Sequence, residues 1–362
     1  MKSVIEYIWL DSNSNFRSKA RTLQLSSHEK ETSELLTEIP NWNYDGSSTG
    51  QATGKDSEIT LVPVFLVHCP FRGKPHFVVL CETVDRKGDP LPNNHRRWAK
   101  SIFDQNLELE PWYGLEQEYY MLAWNPTSDR VEPLGFDLAR TQGQYYCSVG
   151  SGNAYGREIA NSHLKACLVA GLDISGINAE VAPGQWEFQI GPTTGINAGD
   201  QLLMARYFLV LVGEKFHTEI SFHPKPEIIR HGHWNGSGCH CNFSTKPMRD
   251  LKASDYNGLH HISIAVKKLE KLHTLHMEHY GIDNRMRMTG ECETASYDVF
   301  TAGRADRGAS VRIPNTTVQD KYGYFEDRRP ASNCDPYLVT ALIFSTCCDI
   351  PLGDLEITQK PL

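Results

Sequence analysis

The chain has 362 residues, with 36 Lys plus Arg against 44 Asp plus Glu, a formal net charge of −8 and a pI near 6.0. That mild acidity argues against a nucleic-acid or anionic-membrane surface as the main partner, and no apolar run reaches the ~18 residues of a membrane span. With 40% hydrophobic and 22% charged residues, the composition is that of a globular protein of about two domains. Ten cysteines without a CxxC pair, behind a start that reads as a strand rather than a leader, point to reduced thiols and a cytoplasmic setting.

In chain order, strand signals fall at residues 4–10, 21–25, 61–67 and 77–84, each a β-branched, aromatic or leucine-bearing run between turn signals. Residues 41–58, rich in Gly, Ser, Thr and Asn, read as a long polar loop of the functional kind. Residues 90–94 mark a boundary, and Asn93 or Asn94 is placed to cap a helix carrying Trp98, Ile102, Phe103 and Leu107 on one apolar face. Further helices are expected near 155–170, 200–216, 255–280 and 337–348, with Gly171 and Gly281 just past two of the ends. Strands are expected near 112–123, 178–190 and 239–244. The organisation predicted is a small β-rich domain over 1–92 and a larger mixed domain over 93–362.

The chemistry concentrates in four segments. In WYGLEQEYY (112–120), strand alternation puts Glu116, Glu118 and Tyr120 on one face, the carboxylates about 7 Å apart. Alone, this is either a solvated face or a pair of ligands. In INAEVAPGQWEFQIGP (177–192), a hairpin loop over residues 182–185 sets Glu180 opposite Glu187, either a like-charge pair that a hard divalent cation would relieve or a distorted hairpin with both glutamates in water. In HWNGSGCHCNFST (233–245), alternation turns His240 away from Cys239 and Cys241, so a zinc-type Cys/His set is disfavoured. His240 then reads as a lone imidazole ligand beside carboxylates, or as a core histidine. His273, His276 and His279 match no metal motif and read as a solvated helix face. Finally Arg287, Arg304, Arg307, Arg312, Arg328 and Arg329 surround Glu326, a set suited to phosphate and carboxylate. Neither a Walker nor a Rossmann loop is present.

Carboxylates for more than one cation, together with arginines for phosphate, suggest metal-assisted phosphoryl chemistry. At this point the sequence resembles the eukaryotic-type (type II) glutamine synthetase family. The resemblance runs through NYDGSST (43–49), LEQEYY, YYCSVG (145–150), NAEVAPGQWEFQIGP, WNGSGCH, RGASVRIP (307–314) and YFEDRRPASNCDPY, in order along nearly the whole chain. It implies an α+β fold: a β-grasp-like N-terminal domain and a glutamine-synthetase/guanido-kinase-type catalytic domain with a curved, mostly antiparallel sheet. It also implies ATP-dependent joining of ammonia to L-glutamate through a γ-glutamyl phosphate, Mg²⁺ or Mn²⁺ as cofactor, and a decamer of two pentameric rings with sites between subunits. The alternatives are a sibling ligase for another amine, or a non-catalytic relative.

Carried over by motif, the resemblance makes Glu118, Glu180 and Glu187 ligands of one ion, and Glu116, His240 and Glu326 ligands of a second. Arg307 and Arg312 match phosphate-binding positions, and Trp112, Asn242, Ser244 and Tyr324 positions near the nucleotide. Arg287 and Arg328, with His233, Trp234, Asn235 and Gly236, match the glutamate site. Glu293 matches a covering loop carboxylate, and Asp45 the group that binds and deprotonates ammonium. The chain departs from the family pattern at His233 (usually Asn), Cys292 (usually His), Gln144 (usually Pro), Arg304 (usually small and apolar) and His223 (usually Asp).

Overall fold

The structure is a computed structural model and describes residues 2–27, 30–137, 139–226, 234–250 and 257–353. The chain divides into two compact units, one built on residues 2–98 with 165–172, the other on 99–164 with 173–353. The fold is α+β.

The first unit is a five-stranded sheet in the order β2-β1-β5-β4-β3, formed by Lys2–Leu10 (β1), Phe16–Gln24 (β2), Trp42–Asp45 (β3), Glu58–His68 (β4) and Phe77–Val84 (β5). Only β1 and β5 run parallel, at its centre. Alternation places Ile5, Tyr7 and Trp9 on one face, against Leu35, Tyr44, Leu61, Phe77 and Val79. Each such buried side chain contributes roughly 1.5–3 kcal/mol relative to exposure. The 41–58 segment is not the uninterrupted loop expected: Trp42–Asp45 pairs with β4 and a 3-10 turn, Gly46–Thr49, follows it. Its alternation (Tyr44 inward, Asn43 and Asp45 outward) was hidden by polar composition.

The second unit centres on the 14-residue strand β6, Trp112–Asn125. It is joined by Arg130–Pro133 (β7), Ile174–Ala179 (β8), Gln185–Thr194 (β9), Glu219–Ser221 (β10), Cys239–Ser244 (β11), Ala302–Arg304 (β12), Val311–Ile313 (β13) and Phe325–Asp327 (β14). The main path is β12-β13-β14-β11-β6-β9-β8, antiparallel except between β12 and β13. Tyr113, Leu115, Gln117 and Tyr119 are buried on the back of β6, where the Tyr113 hydroxyl donates to the Thr340 carbonyl (2.8 Å) of the Pro336–Cys348 helix. The other faces of this strand, Glu116, Glu118 and Tyr120, make the front.

Helices Arg157–Ala170, Asn197–Lys215 and Pro336–Cys348 form near the expected positions, while residues expected in one helix to 280 form two, Gly258–Lys271 and His273–His279. Gly171 and Gly281, at φ +84 and +109, occupy the left-handed stop position. The Arg96–Phe103 helix begins too late for Asn93 or Asn94 to cap it and ends before Leu107, which is exposed. The polar run Asp104–Gln105–Asn106 offers that face no further apolar anchor. His273, His276 and His279 are buried rather than solvated. His276 bonds the Tyr280 hydroxyl (2.5 Å) and Thr346 Oγ1 (2.8 Å), and His273 meets Arg329 (3.1 Å) and the Tyr297 carbonyl (2.9 Å). The letters alone do not distinguish a satisfied core histidine from a wet one.

Candidate active site

Four adjacent strands supply one patch of donors. Register sets Glu118 opposite Glu187, Glu116 opposite both Gln189 and His240, and Glu326 opposite both Asn242 and Arg312. The hairpin therefore differs from the expected one. Its four-residue loop is 181–184, because Glu180 N donates to the Gln185 carbonyl and Asn178 pairs with Glu187. The carboxylate directly across from Glu187 is Glu118, not Glu180. Val181 looked like a strand residue but belongs to the loop, and that one-residue slip shifted the pairing by two.

Ligand atoms of Glu116, His240 and Glu326 lie within 4.8 Å of one another, as do those of Glu118, Glu187 and His240. His240 Nδ1 is 3.4 Å from Glu116 and 3.5 Å from Glu326. Glu180 is buried nearby, its carboxylate accepting from Asn178 Nδ2 (2.8 Å) and Val181 N (3.3 Å). Glu118 accepts from Gly238 N, and Glu187 from Gln189 Nε2. A Cβ on Gly238 would sit 2.9 Å from Arg287 Nη1 and 3.0 Å from His240 Nε2, so only glycine lets this backbone approach.

Burial sets the electrostatics. Desolvation pushes Glu118 up to about 7, the Gly238 N–H and the arginines 287 and 328 resisting. Desolvation and then the neighbouring Glu118 push Glu180 up to about 8. Glu187 is driven well above the carboxylate range by desolvation, then by Glu116, Glu118 and Glu180. Desolvation, and then Arg328, hold His240 neutral with a lone pair to donate. Oxygen donors plus one neutral imidazole fit a hard divalent cation that displaces the carboxyl protons.

Arginines border this patch. Arg312 and Arg328 bond the two oxygens of Glu326 at 2.7 and 2.6 Å. Arg307 stands 3.8 Å from Glu293, both half-exposed. Cys292 and Glu293 are consecutive left-handed residues at φ +52 and +59, a strained turn costing of order 1 kcal/mol or more per residue. Arg287 is buried, its Nη2 donating to the carbonyls of Arg328 (3.0 Å), Arg329 (2.8 Å) and Pro330 (3.1 Å); desolvation lowers it to about 10. Arg304 and Arg329 do not join the group. Arg304 bonds Asn315 at the surface, and Arg329 is fully buried against Asp327.

A cavity of about 520 Å³ beside the donors is lined by Trp112, Glu116, Asn242, Ser244 and Tyr324, together with Arg249, whose guanidinium lies 4.0 Å from the centre of the Trp112 ring. Arg249 had no sequence signal, since its short helix Lys246–Arg249 lacks a periodic pattern. Gln189 could have been found: it shares Glu187's face two residues on. Trp234, Asn235 and Gly236 form a buried strap, held by Tyr120 Oη to the Asn235 carbonyl (2.6 Å) and Gln185 Nε2 to the Gly236 carbonyl (3.0 Å). His233 lies outside the described residues. Asp45 ends β3 in the other unit, exposed, accepting from Ser47 N (3.1 Å), Ser47 Oγ (2.7 Å) and Ser48 Oγ (2.6 Å). Those donors, Ser48 foremost, hold it well below the usual range. Of the other departures, Gln144 takes Arg140 (3.0 Å), and His223 faces Asp283 at 3.4 Å.

Cation donors, phosphate-suited arginines and a nucleotide-sized cavity on one sheet define an enzyme of metal-assisted phosphoryl transfer. The family profile described as the glutamine synthetase catalytic domain matches residues 93–349. The chain is 52% identical to a putative glutamine synthetase of Acanthamoeba polyphaga mimivirus (96% of this chain, 94% of that protein). It is 49% identical to the glutamine synthetase of Saccharomyces cerevisiae (99% and 92%) and 48% identical to that of Neurospora crassa (95% and 91%). The chain belongs to the glutamine synthetase family.

Proposed function

We propose that the protein joins ammonia to the side-chain carboxylate of L-glutamate at the expense of ATP, releasing glutamine, ADP and phosphate, with the residues of the sheet-face patch in the following roles. Glu118, Glu180 and Glu187 would hold one divalent cation, and Glu116, His240 and Glu326 the second; Mg²⁺ and Mn²⁺ suit this oxygen-rich set. When bound, such cations would supply positive charge that offsets the charge on the phosphate oxygens.

The chain's own residues do the rest. Trp112, Asn242, Ser244 and Tyr324 seat the nucleotide, and Arg307 and Arg312 take the charge that spreads over the transferred phosphoryl oxygens. Arg287, Arg328 and the 234–236 strap hold the glutamate, with His233 assigned to the same site by its motif position. A carboxylate has a poor leaving group, so its oxygen first attacks the γ-phosphorus; the bond from that phosphorus to the bridging oxygen breaks, ADP leaves, and γ-glutamyl phosphate remains. Ammonium is not a nucleophile, so Asp45 binds it and accepts its proton; the depressed acidity range of Asp45 suits the cation-binding half of that task. Ammonia then attacks the carbonyl carbon and phosphate departs. Glu293, on its strained turn beside Arg307, covers the site, keeps water from the acyl phosphate and removes a proton from the tetrahedral adduct.

The supporting observation is the convergence of buried Glu118, Glu187, His240 and Glu326 and half-buried Glu116 on one patch. The reading includes a β-grasp-like domain over 1–92, a catalytic domain over 93–362, a cytoplasmic setting and a two-ring decamer whose Asp45 segments complete neighbouring sites. No helix among the described residues is long and apolar enough to cross a membrane. The test is phosphate release from ATP with glutamate and ammonium in Mg²⁺ or Mn²⁺. Release should require all three; release only with a different amine would overturn ammonia as the acceptor, and none with any amine would overturn catalysis.

A further inference from the structure

The back of β6 carries a second arrangement of polar groups. Gln117, between the two glutamates of this strand, is fully buried and faces away from them. Its Oε1 accepts from Nε of Arg206 (2.7 Å), which projects from the Asn197–Lys215 helix. Its Nε2 donates to the carbonyls of Ser332 (3.0 Å) and Glu118 (2.8 Å). The remaining arms of Arg206 reach the Cys334 carbonyl (2.9 Å), the Ser332 carbonyl (2.8 Å) and Cys334 Sγ (3.9 Å). None of these partners is a carboxylate. Ser332 N in turn donates to the Ser237 carbonyl (3.1 Å), next to the Gly238 whose N–H holds Glu118.

We infer that Arg206 is a positioning residue for the metal-binding face, acting through Gln117 and the 332–334 segment. A strand residue fixed on one side sets the rotation of the strand about its own axis, and therefore the direction in which the residues before and after it point. One planar fork thus ties together β6, the chain leaving Arg328 and the backbone entering His240. Lysine cannot reproduce this, since its donors radiate from one nitrogen and reach fewer separated acceptors. Groups that hydrogen-bond the ligating side chains themselves typically change metal affinity about 10- to 100-fold when replaced. Arg206 and Gln117 act one layer further out, through the backbone, so a smaller change is expected.

The inference rests on the two-cation reading of the site. Its test is Mn²⁺ titration of the purified full chain, followed by the free-ion paramagnetic resonance signal, with thermal unfolding of the metal-free protein measured in parallel. Arg206→Lys and the near-isosteric Gln117→Met should each raise the Mn²⁺ dissociation constant about threefold to tenfold in protein that remains folded. If Arg206→Lys does not fold, Gln117→Met carries the test. A lowered unfolding temperature with Mn²⁺ affinity within twofold of the parent would overturn the inference, leaving these residues a packing role. Glu118→Gln serves as the control. If it weakens Mn²⁺ binding while the other two variants do not, the inference alone fails; if it too changes nothing, the metal reading falls and the inference with it.

Discussion

The front of β6 and the turn after β3 carry the same functional group in opposite electrostatic conditions. Glu118 and Glu187 face each other across two strands, buried, and desolvation raises both. Asp45 is exposed, and three donors from the two following serines hold it ionised. A carboxylate's charge is thus set by what replaces water around it rather than by its letter. In the proposed reaction the first kind would hold a dication, whereas the second would attract a monovalent one.

The comparison can be broken at four points. Glu187→Gln removes a donor from the buried pair and should cost at least about 100-fold in turnover, with a matching loss of divalent-ion affinity by calorimetry; an unchanged metal titration would reject its ligand role. Asp45→Asn should raise the ammonium concentration for half-maximal rate about tenfold while leaving the ATP requirement unchanged, as steady-state kinetics in each substrate would show. Gly238→Ala should push Arg287 and His240 apart and destabilise the protein by about 1–3 kcal/mol in denaturant unfolding, with several-fold weaker metal binding.

The smallest effect is in pH. The buried glutamates have folded-state values above their unfolded ones, so the native state binds more protons in between and loses stability as pH rises through about 7 to 8. The metal-free protein should therefore melt a few degrees lower at pH 8.5 than at pH 6, and added Mg²⁺ should raise the melting temperature more at the higher pH. A flat metal-free profile between those values would show the glutamates ionised without a cation.

The period-two pattern of WYGLEQEYY placed Glu116 and Glu118 on one face, and the structure agrees because β6 pairs with β9 in unbroken register from Leu115 to Tyr120, past the irregularity between Tyr113 and Leu115. The 177–192 hairpin shows the limit of the same reasoning: faces were legible, but register depended on whether Val181 extends the strand or opens the loop, and backbone hydrogen bonds decide that. Arg249 and Arg206 were not legible at all. One lies in a four-residue helix without periodicity, and the other in a helix buried on nearly every side, where pattern does not single out a face. Burial of His273 and His276 depends on Tyr297, Arg329 and Thr346, partners brought near only by tertiary folding.

Because β6, β9, β11 and β14 are zipped by main-chain hydrogen bonds, the cage proposed for the cations belongs to the scaffold and not to the cations. Chelation should accordingly yield an inactive but folded apoprotein that reloads on simple addition of the ion, with no refolding delay. The moving part of such an enzyme is then left to its loops, and the slow events of a turnover become the arrival and sealing of substrates around a vessel already built.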